Sequence, residues 1–400
     1  MNILLTHNFY GSSAPSGENQ VFEIEKKLLK RNQHEVKEFT RHSDEIRQQG
    51  IAGIIKGAAA TAWNPWMTKA ITSTVSSFQP DIVHVHNTFP LISPSIFHAI
   101  GKKAARVLTL HNYRLFCPNA VPMRNGDVCT LCINQRSVIP ALQHGCYRGS
   151  RLATLPLALS ISLHRYLRTW VKHVDAFITL TEFQRELVIE AGLPSELVHV
   201  KPNFYPGSPI KTTWEKKENY VIFAGRLTSE KGIEALVKAW LVWGEVAPIL
   251  KILGDGELKP RLEGLVSAAR CKTIQFLGQL PPDEAECQIA LAKLLILPSQ
   301  CFEGFPMVIR EAFAFGTPVA VSDIGPLPSI VKHGVQGVVF EAGNLSSLLN
   351  EVQTVWHDPE ALKQMAHNSR NEYERHYNEA ANYRRLIDIY KQAQLMSSRK

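Results

Sequence analysis

Two short segments in the second half of the chain have the residue types needed to bind a diphosphate and the groups attached to it. The first runs from Gly225 to Gly232 and places Arg226 and Lys231 five positions apart, before a predicted helix. Glycine lets a ligand approach the backbone, and the N–H groups at a helix start favour anions. The two cations therefore suit a diphosphate, although arginine and lysine also occur simply in solvent-exposed turns.

The second segment carries carboxylates on either side of a helix start. Glu303-Gly304-Phe305-Pro306 leads into a helix predicted over Met307–Phe315, and Gly316-Thr317-Pro318 ends it. Glu303 precedes this helix and Glu311 lies two turns inside it, so their carboxylates could accept hydrogen bonds from a sugar and from a ribose flanking the diphosphate. Two glutamates eight positions apart are common and usually solvated, so most of the weight rests on the glycine and proline between them.

The elements that must position these segments are predicted by the alternation of β-rich runs with apolar residues at helical spacing. The predicted strands are Ile3–Thr6, Ile82–His86, Val107–His111, Ala176–Leu180, Tyr220–Ala224, Leu250–Leu253, Ile274–Leu277, Leu294–Pro298, Val319–Ser322 and Val338–Phe340. The predicted helices are Gln20–Arg31, Phe183–Ala191, Ile233–Val242, Met307–Phe315 and Leu345–Trp356. This order predicts an α/β protein of two doubly wound, Rossmann-like domains that face each other across a cleft.

Length and composition place the domain boundaries. A chain of 400 residues exceeds the roughly 250–300 at which a single core stops growing. The break falls near Pro202–Lys217, where prolines and Gly207 precede a polar, lysine-rich stretch. We expect a first domain over 1–205 with a cysteine-containing insertion at about 112–150, a linker over 206–217, a second domain over 218–377, and a terminal helix over 378–400 that could pack back on the first domain.

Further candidate residues follow the predicted strands, where ligands of open parallel sheets bind. Gly17 lies in the loop after the first strand, and Gly254-Asp255-Gly256 follows a strand of the second domain. His111 ends a strand of the first domain, where it could contact a ligand or make a structural hydrogen bond. We interpret His7, His84 and His86 as structural histidines.

Four of the seven cysteines are clustered. Cys117, Cys129, Cys132 and Cys146 lie within 30 residues, and His144 stands beside the last of them. Thiolates at this spacing can close a tetrahedral structural zinc site. Reduced thiols without a metal and a redox pair remain the alternatives. The other three cysteines, Cys271, Cys287 and Cys301, are expected in the core.

The positive charge of the chain is concentrated in one segment. Residues 102–172 contain eleven basic side chains against one acid, Asp127. Such a surface favours anionic lipids, a phosphate-bearing substrate or nucleic acid, with a merely solvated basic face as the simpler alternative. The stretch Arg151 to Val174 combines apolar runs with Arg165, Arg168 and Lys172, which predicts a helix on anionic headgroups. The scattered charges and the lack of an aromatic ladder argue against nucleic acid.

The composition of 45% hydrophobic and 20% charged residues is that of a folded globular protein. No apolar stretch approaches the roughly 20 residues of a membrane-spanning helix, and the start lacks the charged region of a signal peptide. We therefore expect a cytoplasmic protein that could be peripheral on the inner face of the plasma membrane.

The motifs of the second half, taken together, resemble the signature of family 4 retaining glycosyltransferases, which have the GT-B fold. The resemblance covers roughly residues 220–345 and rests on Gly225-Arg226, Glu230-Lys231-Gly232, Gly254-Asp255-Gly256, Glu303-Gly304-Phe305-Pro306 to Glu311, and Gly316-Thr317-Pro318-Val319. In the first half, Gly17-Glu18 and His111 match more weakly, and the cysteine-containing stretch up to Ser150 is similar to group 1 enzymes of bacterial polysaccharide biosynthesis. The loop Ser16-Gly17-Glu18 departs from the pattern, because it has one glycine where many relatives have two.

The resemblance implies a role for each matched residue. Arg226 and Lys231 would neutralise the leaving nucleoside diphosphate, and Glu311 would hold the ribose. Glu303 would bind hydroxyls of the donor sugar, and His111 would bind or polarise an outer hydroxyl of that sugar. Other donor contacts would come from Gly17, Gly225, Gly254, Gly256, Gly304, Phe305, Pro306, Met307 and Val308.

The implied activity is the transfer of a hexose-type sugar from a nucleoside-diphosphate sugar to a glycan or lipid-linked acceptor, with retention of configuration, in cell-surface polysaccharide biosynthesis. The weight of the family favours a UDP-sugar over a GDP-sugar. The chain contains no Asp-x-Asp triplet, so we expect catalysis without a metal or other cofactor. The alternatives are a nucleotide-sugar epimerase of the same architecture and a basic nucleic-acid-binding protein.

Overall fold

The computed structural model describes residues 1–11, 16–48, 50–210 and 212–399, without the side chains of residues 47, 51, 52, 54 and 55. They fold into two compact units. The first comprises Met1–Pro122, Cys129–Pro202 and Asn382–Lys400, and the second comprises Met123–Val128 and Asn203–Ala381. Lys211, inside the linker predicted over 206–217, and Lys400, at the end of the segment predicted over 378–400, lie outside the described residues.

A parallel sheet forms the centre of the first unit. The strands up to residue 200 are β1 (Asn2–Phe9), β2 (Glu35–His42), β3 (Ile82–Asn87), β4 (Ala105–Thr109), β5 (Met123–Arg124), β6 (Asp127–Val128), β7 (Ala176–Thr179) and β8 (Val198–Val200). The short β5 and β6 pair as an antiparallel hairpin that groups with the second unit. The others pair in parallel in the order β2-β1-β3-β4-β7-β8.

The helices of this part of the chain connect and cover the strands. They are α1 (Gly17–Arg31), α2 (Asp44–Gln48), α3 (Gly50–Ala62), α4 (Pro65–Phe78), α5 (Ile96–Ile100), α6 (Leu131–Asn134), α7 (Ile139–His144), α8 (Arg151–Tyr166), α9 (Thr169–Lys172) and α10 (Glu182–Glu190). Helix α1 begins after Ser16, whose hydroxyl accepts a hydrogen bond from the Glu18 N–H. Its buried face contributes Phe22 and Leu29 to the core beside the sheet.

The second unit is also built on a parallel sheet. Its strands are β9 (Glu218–Ala224), β10 (Ile249–Leu253), β11 (Ile274–Gly278), β12 (Ala292–Leu297), β13 (Val319–Ser322) and β14 (Gly337–Phe340), and they pair in the order β11-β10-β9-β12-β13-β14. This is the 3-2-1-4-5-6 order of the Rossmann fold. The helices are α11 (Ile233–Trp243), α12 (Lys259–Ala268), α13 (Pro282–Leu291), α14 (Met307–Ala314), α15 (Leu327–Ile330), α16 (Leu345–Trp356) and α17 (Pro359–Glu372).

The last helix, α18 (Glu379–Arg399), contributes to the core of the first unit. Its buried side chains, Leu386, Ile389, Tyr390 and Ala393, pack in one cluster with Ile3, Leu5, Phe22 and Val107 of the sheet and α1. The core of the first unit is thus completed by residues nearly 400 positions from its first strand.

The two parallel, doubly wound α/β sheets predicted from the sequence are confirmed, and three local details differ. Strand β2 was not predicted, because it lies at the sheet edge and its sequence has no continuous apolar run. The strand predicted to reach His111 ends at Thr109. The helix predicted from Arg151 to Val174 is wrong in extent: α8 ends at Tyr166, and Arg168, with φ of +54°, turns the chain before α9.

The basic segment 102–172 is also less exposed than its charge count suggested. Arg106 is buried, and its guanidinium donates to both carboxylate oxygens of buried Asp175 at 2.8 Å. The Arg106 N–H donates to the same carboxylate at 2.9 Å. The pair holds β4 beside the residue that leads into β7, because the Asp175 N–H donates in turn to the Arg106 carbonyl.

Replacing Arg106 by methionine should lower the free energy of unfolding by about 3–5 kcal/mol, because it leaves the Asp175 carboxylate buried without its counterion. Denaturant titration of the purified variant measures this change. Lys30→Met, which removes an exposed cation 3.9 Å from Glu38, serves as the control and should change stability by less than about 1 kcal/mol. Equal effects of the two substitutions would contradict the prediction.

Candidate functional site

The strand order of the second unit places the candidate cations and carboxylates at its topological switch point. Strand β9 has β10 on one side and β12 on the other, so the crossovers leave in opposite directions from the carboxyl ends of β9 and β12. Ligands of such sheets bind in the crevice formed there. The loop after β9 is Gly225–Gly232, and the loop after β12 runs from Pro298 to Pro306.

These two loops are held together by their backbones. The Gln300 N–H donates to the Glu230 carbonyl at 2.9 Å. Gly232 has φ of +67°, and a Cβ at this position would lie 1.8 Å from the Pro298 carbonyl oxygen. Only glycine allows this approach, so Gly232 is required for the contact between the two loops.

An ion pair joins the predicted diphosphate-binding lysine to the predicted sugar-binding glutamate. Lys231 Nζ lies 2.6 Å from Glu303 Oε1, and the Ser299 hydroxyl donates to the same oxygen at 2.7 Å. Burial alone would raise the pKa of Glu303, but Lys231 and Ser299 hold this pKa below its ordinary value. Burial would lower the pKa of Lys231, and Glu303 raises it instead. Both groups therefore stay ionised near neutral pH.

Arg226 is the exposed cation of this loop. Its side chain is 67% exposed, and its guanidinium approaches Glu230 at 3.4 Å. An exposed guanidinium with one distant carboxylate keeps most of its donors available to an anion. Lys231 and Arg226 thus lie in the same loop, one fixed by a carboxylate and one extended into solvent.

Helix α14 carries the second predicted carboxylate. It begins at Met307, directly after Gly304 and the buried residues Phe305 and Pro306, and Gly316 follows its end with φ of +62°. Glu311 lies inside the helix, 3.7 Å from the guanidinium of buried Arg310. Burial raises the pKa of Glu311, and Arg310 opposes part of this rise.

The loop after β10 completes this edge of the second sheet. Gly254 has φ of +128°, and a Cβ there would lie 1.9 Å from the Gly225 carbonyl oxygen. The Leu227 N–H donates to the Asp255 carbonyl at 2.9 Å, which ties this loop to the one after β9. Gly254 therefore packs against Gly225 and Gly256 packs against Leu227, in the loop that carries the two cations.

The candidate residues of the first unit also gather at strand ends. His111 follows β4, and its Nε2 lies 3.0 Å from Nδ1 of His86 at the end of β3. Gly17 begins α1, and the next residue, Glu18, accepts a hydrogen bond from the Asn112 side chain. Burial raises the pKa of Glu18 to about 7 and holds the pKa of His111 well below its ordinary value. His111 is therefore a neutral imidazole near pH 7.

Sequence reasoning missed Glu25, the buried carboxylate that lies behind His86. Glu25 faces the core of the first unit among Val21, Phe22, Leu28 and Leu29 of α1. A glutamate in the middle of an apolar helical stripe was the available signal, because a buried carboxylate requires a partner.

The four clustered cysteines interact with one another. Cys117 and Cys132 are buried, and Cys129 and Cys146 are partly exposed. Burial, and then the other three thiols, raise the pKa of Cys117 to about 12, while the Asn119 N–H opposes this by donating to its sulfur. The expectation that the remaining cysteines are all buried is wrong, because Cys287 is exposed and Cys271 is partly exposed.

The exposed face of α8 is apolar. Leu152, Leu155, Leu159 and Tyr166 are exposed at helical spacing, with Leu152 and Tyr166 more than 80% exposed. Arg148, Arg168 and Lys172 lie exposed near its ends. Arg165, predicted to face the same way, is half-buried and donates to the Arg136 carbonyl instead. Within the described residues, no helix is both long and apolar enough to cross a bilayer.

Comparisons with known proteins agree with this geometry. Residues 17–206 match the family described as Glycosyltransferase Family 4, and residues 208–372 match Glycosyl transferases group 1. An uncharacterised glycosyltransferase of Haemophilus influenzae is 30% identical over 219 residues, which are 52% of this chain and 60% of that protein. The alpha-D-kanosaminyltransferase of Streptomyces kanamyceticus is 25% identical over 56% of this chain and 67% of its own length.

Solved structures share the fold at lower identity. The Anabaena protein HepE, in complex with UDP and glucose, superposes with a TM-score of 0.64 and 16% identity over 98% of this chain and 99% of its own. A glycosyltransferase of Rickettsia africae gives a TM-score of 0.66 and 14% identity over 98% of both chains. With both halves matched and two Rossmann-like sheets present, the chain belongs to the group 1 glycosyltransferases of family 4, which have the GT-B fold.

Proposed function

We propose that this protein transfers a hexose-type sugar from a nucleoside-diphosphate sugar, with UDP as the first candidate, to a glycan or lipid-linked acceptor in cell-surface polysaccharide biosynthesis. The observation that carries the proposal is the placement of Arg226, Lys231 and Glu303 at the switch point of a Rossmann-type sheet. Solved structures of HepE with UDP and with UDP-glucose support the choice of donor. The chain spans between half and two thirds of the length of the first curated relatives, so the activity of the whole protein is part of the proposal.

The chemistry assigned to this edge is electrostatic. As the glycosidic bond breaks, negative charge grows on the diphosphate, and fixed cations stabilise this charge more in the transition state than in the ground state. Arg226 is free to close on the phosphates, and Lys231 is already desolvated and aligned by Glu303. Glu303 also accepts hydrogen bonds from hydroxyls of the donor sugar, and Glu311 accepts hydrogen bonds from hydroxyls of the ribose. In this proposal the cationic side chains replace a catalytic metal.

Retention is explained by attack from the face that the diphosphate leaves. The acceptor oxygen forms a bond to the anomeric carbon, the bond from that carbon to the phosphate oxygen breaks, and the acceptor proton passes to the departing phosphate oxygen. This route needs no carboxylate nucleophile. His111, which is neutral, serves as a hydrogen-bond partner for a sugar hydroxyl and not as an acid.

Thermal stabilisation by a panel of UDP- and GDP-sugars tests the donor assignment. A ligand at 100 times its dissociation constant adds about 2.7 kcal/mol of stability, so the correct donor should raise the melting temperature of the wild type. Lys231→Ala and Glu311→Ala should reduce this shift, because each removes a group assigned to the nucleotide.

Transfer rates with that donor should then show a loss of about 2–4 kcal/mol of transition-state stabilisation in Arg226→Ala and in Lys231→Ala.

Two variants on the surface of the second unit are the matched controls. Lys238→Ala removes an exposed lysine of α11, and Glu360→Ala removes an exposed carboxylate of α17. Both should bind and transfer as the wild type does. Wild-type transfer by Arg226→Ala and Lys231→Ala would show that the diphosphate assignment is wrong.

We propose in addition that the apolar face of α8 rests on an anionic membrane. Leu152, Leu155 and Leu159 would enter the boundary between headgroups and acyl chains, while Arg168 and Lys172 would contact lipid phosphates. Charge complementarity favours this occupant, because residues 128–174 contain no acidic residue. A lipid-linked acceptor would then be presented from the same surface.

Sedimentation with vesicles tests this surface. The double variant Arg168→Glu and Lys172→Glu should bind phosphatidylglycerol vesicles about 30-fold more weakly or worse, since each cation contributes about 1 kcal/mol near an anionic surface. Vesicles of phosphatidylcholine alone should bind the wild type weakly, and Val246→Ser, which removes an exposed apolar side chain of the second unit, should change nothing. Unaltered binding of the double variant would contradict the proposal that this face of α8 rests on an anionic membrane.

We also propose that Cys117, Cys129, Cys132 and Cys146 hold a structural zinc ion. The donor set suits zinc. Burial raises the pKa of Cys117 and Cys132, and N–H groups of Asn119 and Ala141 oppose part of this rise by donating to their sulfurs. Among the described residues, the group whose potential ligand atoms lie within 4.8 Å of one another is Glu25, His84 and His86, and the four cysteines are not part of it. Their sulfurs would therefore move closer together on binding zinc.

Metal analysis of the purified protein should find about one zinc per chain in the wild type and in Cys287→Ser, which removes an exposed thiol outside the cluster. Cys129→Ser and Cys132→Ser should lose the zinc and lower the melting temperature, because metal binding stabilises such loops. Metal-free wild-type protein, purified in zinc-containing buffer, would contradict the proposal.

A further inference from the structure

A buried carboxylate is the centre of a polar network in the first unit. Glu25 is fully buried on α1, and its Oε2 accepts a hydrogen bond from the buried Lys201 ammonium at 2.8 Å. Its other oxygen, Oε1, lies 3.0 Å from Nδ1 of His84 and 3.3 Å from Nε2 of His86. Burial would raise the pKa of Glu25, but Lys201 and the histidines hold it well below its ordinary value. Glu25 is therefore an ionised carboxylate with an ammonium on one oxygen and two histidine nitrogens facing the other.

The network continues from Glu25 to the candidate sugar-binding histidine. His86 is buried at the end of β3, with Nε2 toward Glu25 and Nδ1 3.0 Å from Nε2 of His111. The two ring planes are inclined by 21° and their centroids are 5.2 Å apart. His111 stands at the outer end of this series, where it lines a cavity together with Asn112 and Arg114.

The cluster of Glu25, His84 and His86 has the composition of a metal site but not its electrostatics. The Lys201 ammonium already neutralises the carboxylate. His84 also contacts the Tyr390 hydroxyl through Nδ1 and the Thr109 hydroxyl through Nε2, each within 2.8 Å. With both nitrogens of His84 engaged and the Lys201 ammonium on the carboxylate, we interpret this cluster as one that orders side chains and not as a metal site.

The positions of the protons follow from which atoms can donate. His86 Nε2 and Glu25 Oε1 are both buried, face each other at 3.3 Å and make no other hydrogen bond. Because an ionised carboxylate can only accept, we place a proton on this His86 nitrogen. Burial lowers the pKa of His86 to about 4, so the ring is neutral and its Nδ1 carries none. His111 must then donate to this Nδ1 from its own Nε2, which leaves His111 Nδ1 as a hydrogen-bond acceptor.

We propose that Glu25, acting through His86, fixes the tautomer and ring orientation of His111, so that His111 Nδ1 accepts a hydrogen bond from a hydroxyl of the donor sugar. This assignment rests on the proposed function for the identity of the ligand, whereas the proton positions stand on the contacts alone. Glu25 and His86 are positioning residues, and Lys201 keeps the carboxylate ionised. Asn382 and Tyr390 bring α18 into the same network, since Asn382 accepts from Lys201 at 3.2 Å.

Glu25→Gln should move the ring proton of His86 and that of His111 to the other nitrogen of each ring. Lys201 cannot accept a hydrogen bond, so it holds the amide oxygen of the glutamine, and the NH₂ group must face His84 and His86. His86 would then accept at Nε2 and donate from Nδ1, which forces His111 to accept at Nε2 and to carry its proton on Nδ1. The nitrogen offered to the sugar becomes a donor, with nearly unchanged side-chain volume.

Nitrogen-15 NMR of histidine-labelled protein, with His111 assigned from a His111→Gln sample, reads these tautomers directly. We expect His111 protonated at Nε2 in the wild type and at Nδ1 in Glu25→Gln. Transfer by Glu25→Gln should fall about 10- to 100-fold in kcat, by analogy with the loss of a partner that orients a metal-ligating histidine. UDP binding should be unaltered, because the nucleotide is assigned to the second unit. Glu38→Gln, which neutralises an exposed carboxylate, should match the wild type in every measurement.

His86→Phe supplies a second test in case Glu25→Gln does not fold. It keeps an aromatic ring but removes the acceptor for His111, so kcat should fall to a similar extent while UDP binding persists. A wild-type His111 protonated at Nδ1, or a reversed tautomer with unchanged kcat, would overturn the proposal. If the wild type binds no nucleotide and transfers no sugar, the proposed function fails, and the NMR result still decides the proton positions.

Discussion

Parallel strands present all their carboxyl ends at one edge of a sheet, and the candidate donor-site loops of both units depend on that constraint. In the second unit it brings the loops after β9, β10 and β12 together, although Lys231 and Glu303 are 72 residues apart. In the first unit it places His111 beside His86 at the ends of adjacent strands β4 and β3. The crossover helices need only be long enough to return the chain, so the loops are free to carry chemistry.

The charged side chains buried in each unit have fixed partners. Taking a carboxylate or an ammonium out of water costs several kcal/mol, and the cost is offset only when a partner and further hydrogen bonds are present. Glu303 has Lys231 and Ser299, and Glu25 has Lys201 and two histidines. Arg106 and Asp175 satisfy each other through parallel hydrogen bonds. Ions fixed in this way reorganise little, which is what electrostatic stabilisation of a transition state requires.

Helix α1 contributes to both polar groups of the first unit. It begins at Gly17 after the N-cap Ser16, and its first turn holds Glu18 against Asn112. The same helix carries Glu25 on its buried face. Helix α1 therefore positions two carboxylates. Glu18 lies against Asn112, the residue after His111, and Glu25 is linked to His111 through His86. Helix α18 also contacts the network around Glu25, because Tyr390 hydrogen-bonds to His84 and Asn382 accepts from Lys201.

The amino-acid sequence by itself determined the alternation of strands and helices, the two-sheet α/β class, and the family, because helical and strand periodicity and the glycine-rich motifs are local patterns. It also located Arg226, Lys231, Glu303 and Glu311 on the loops and helix where the structure has them. It missed the edge strand β2 and ran α8 too far, because edge strands lack a continuous apolar run and Arg168 adopts a left-handed conformation that nothing in its type requires. Only the tertiary structure decided which side chains pair. Lys201 with Glu25, and Lys231 with Glu303, depend on strand order and on which groups lose contact with water, and no pattern along the chain records either.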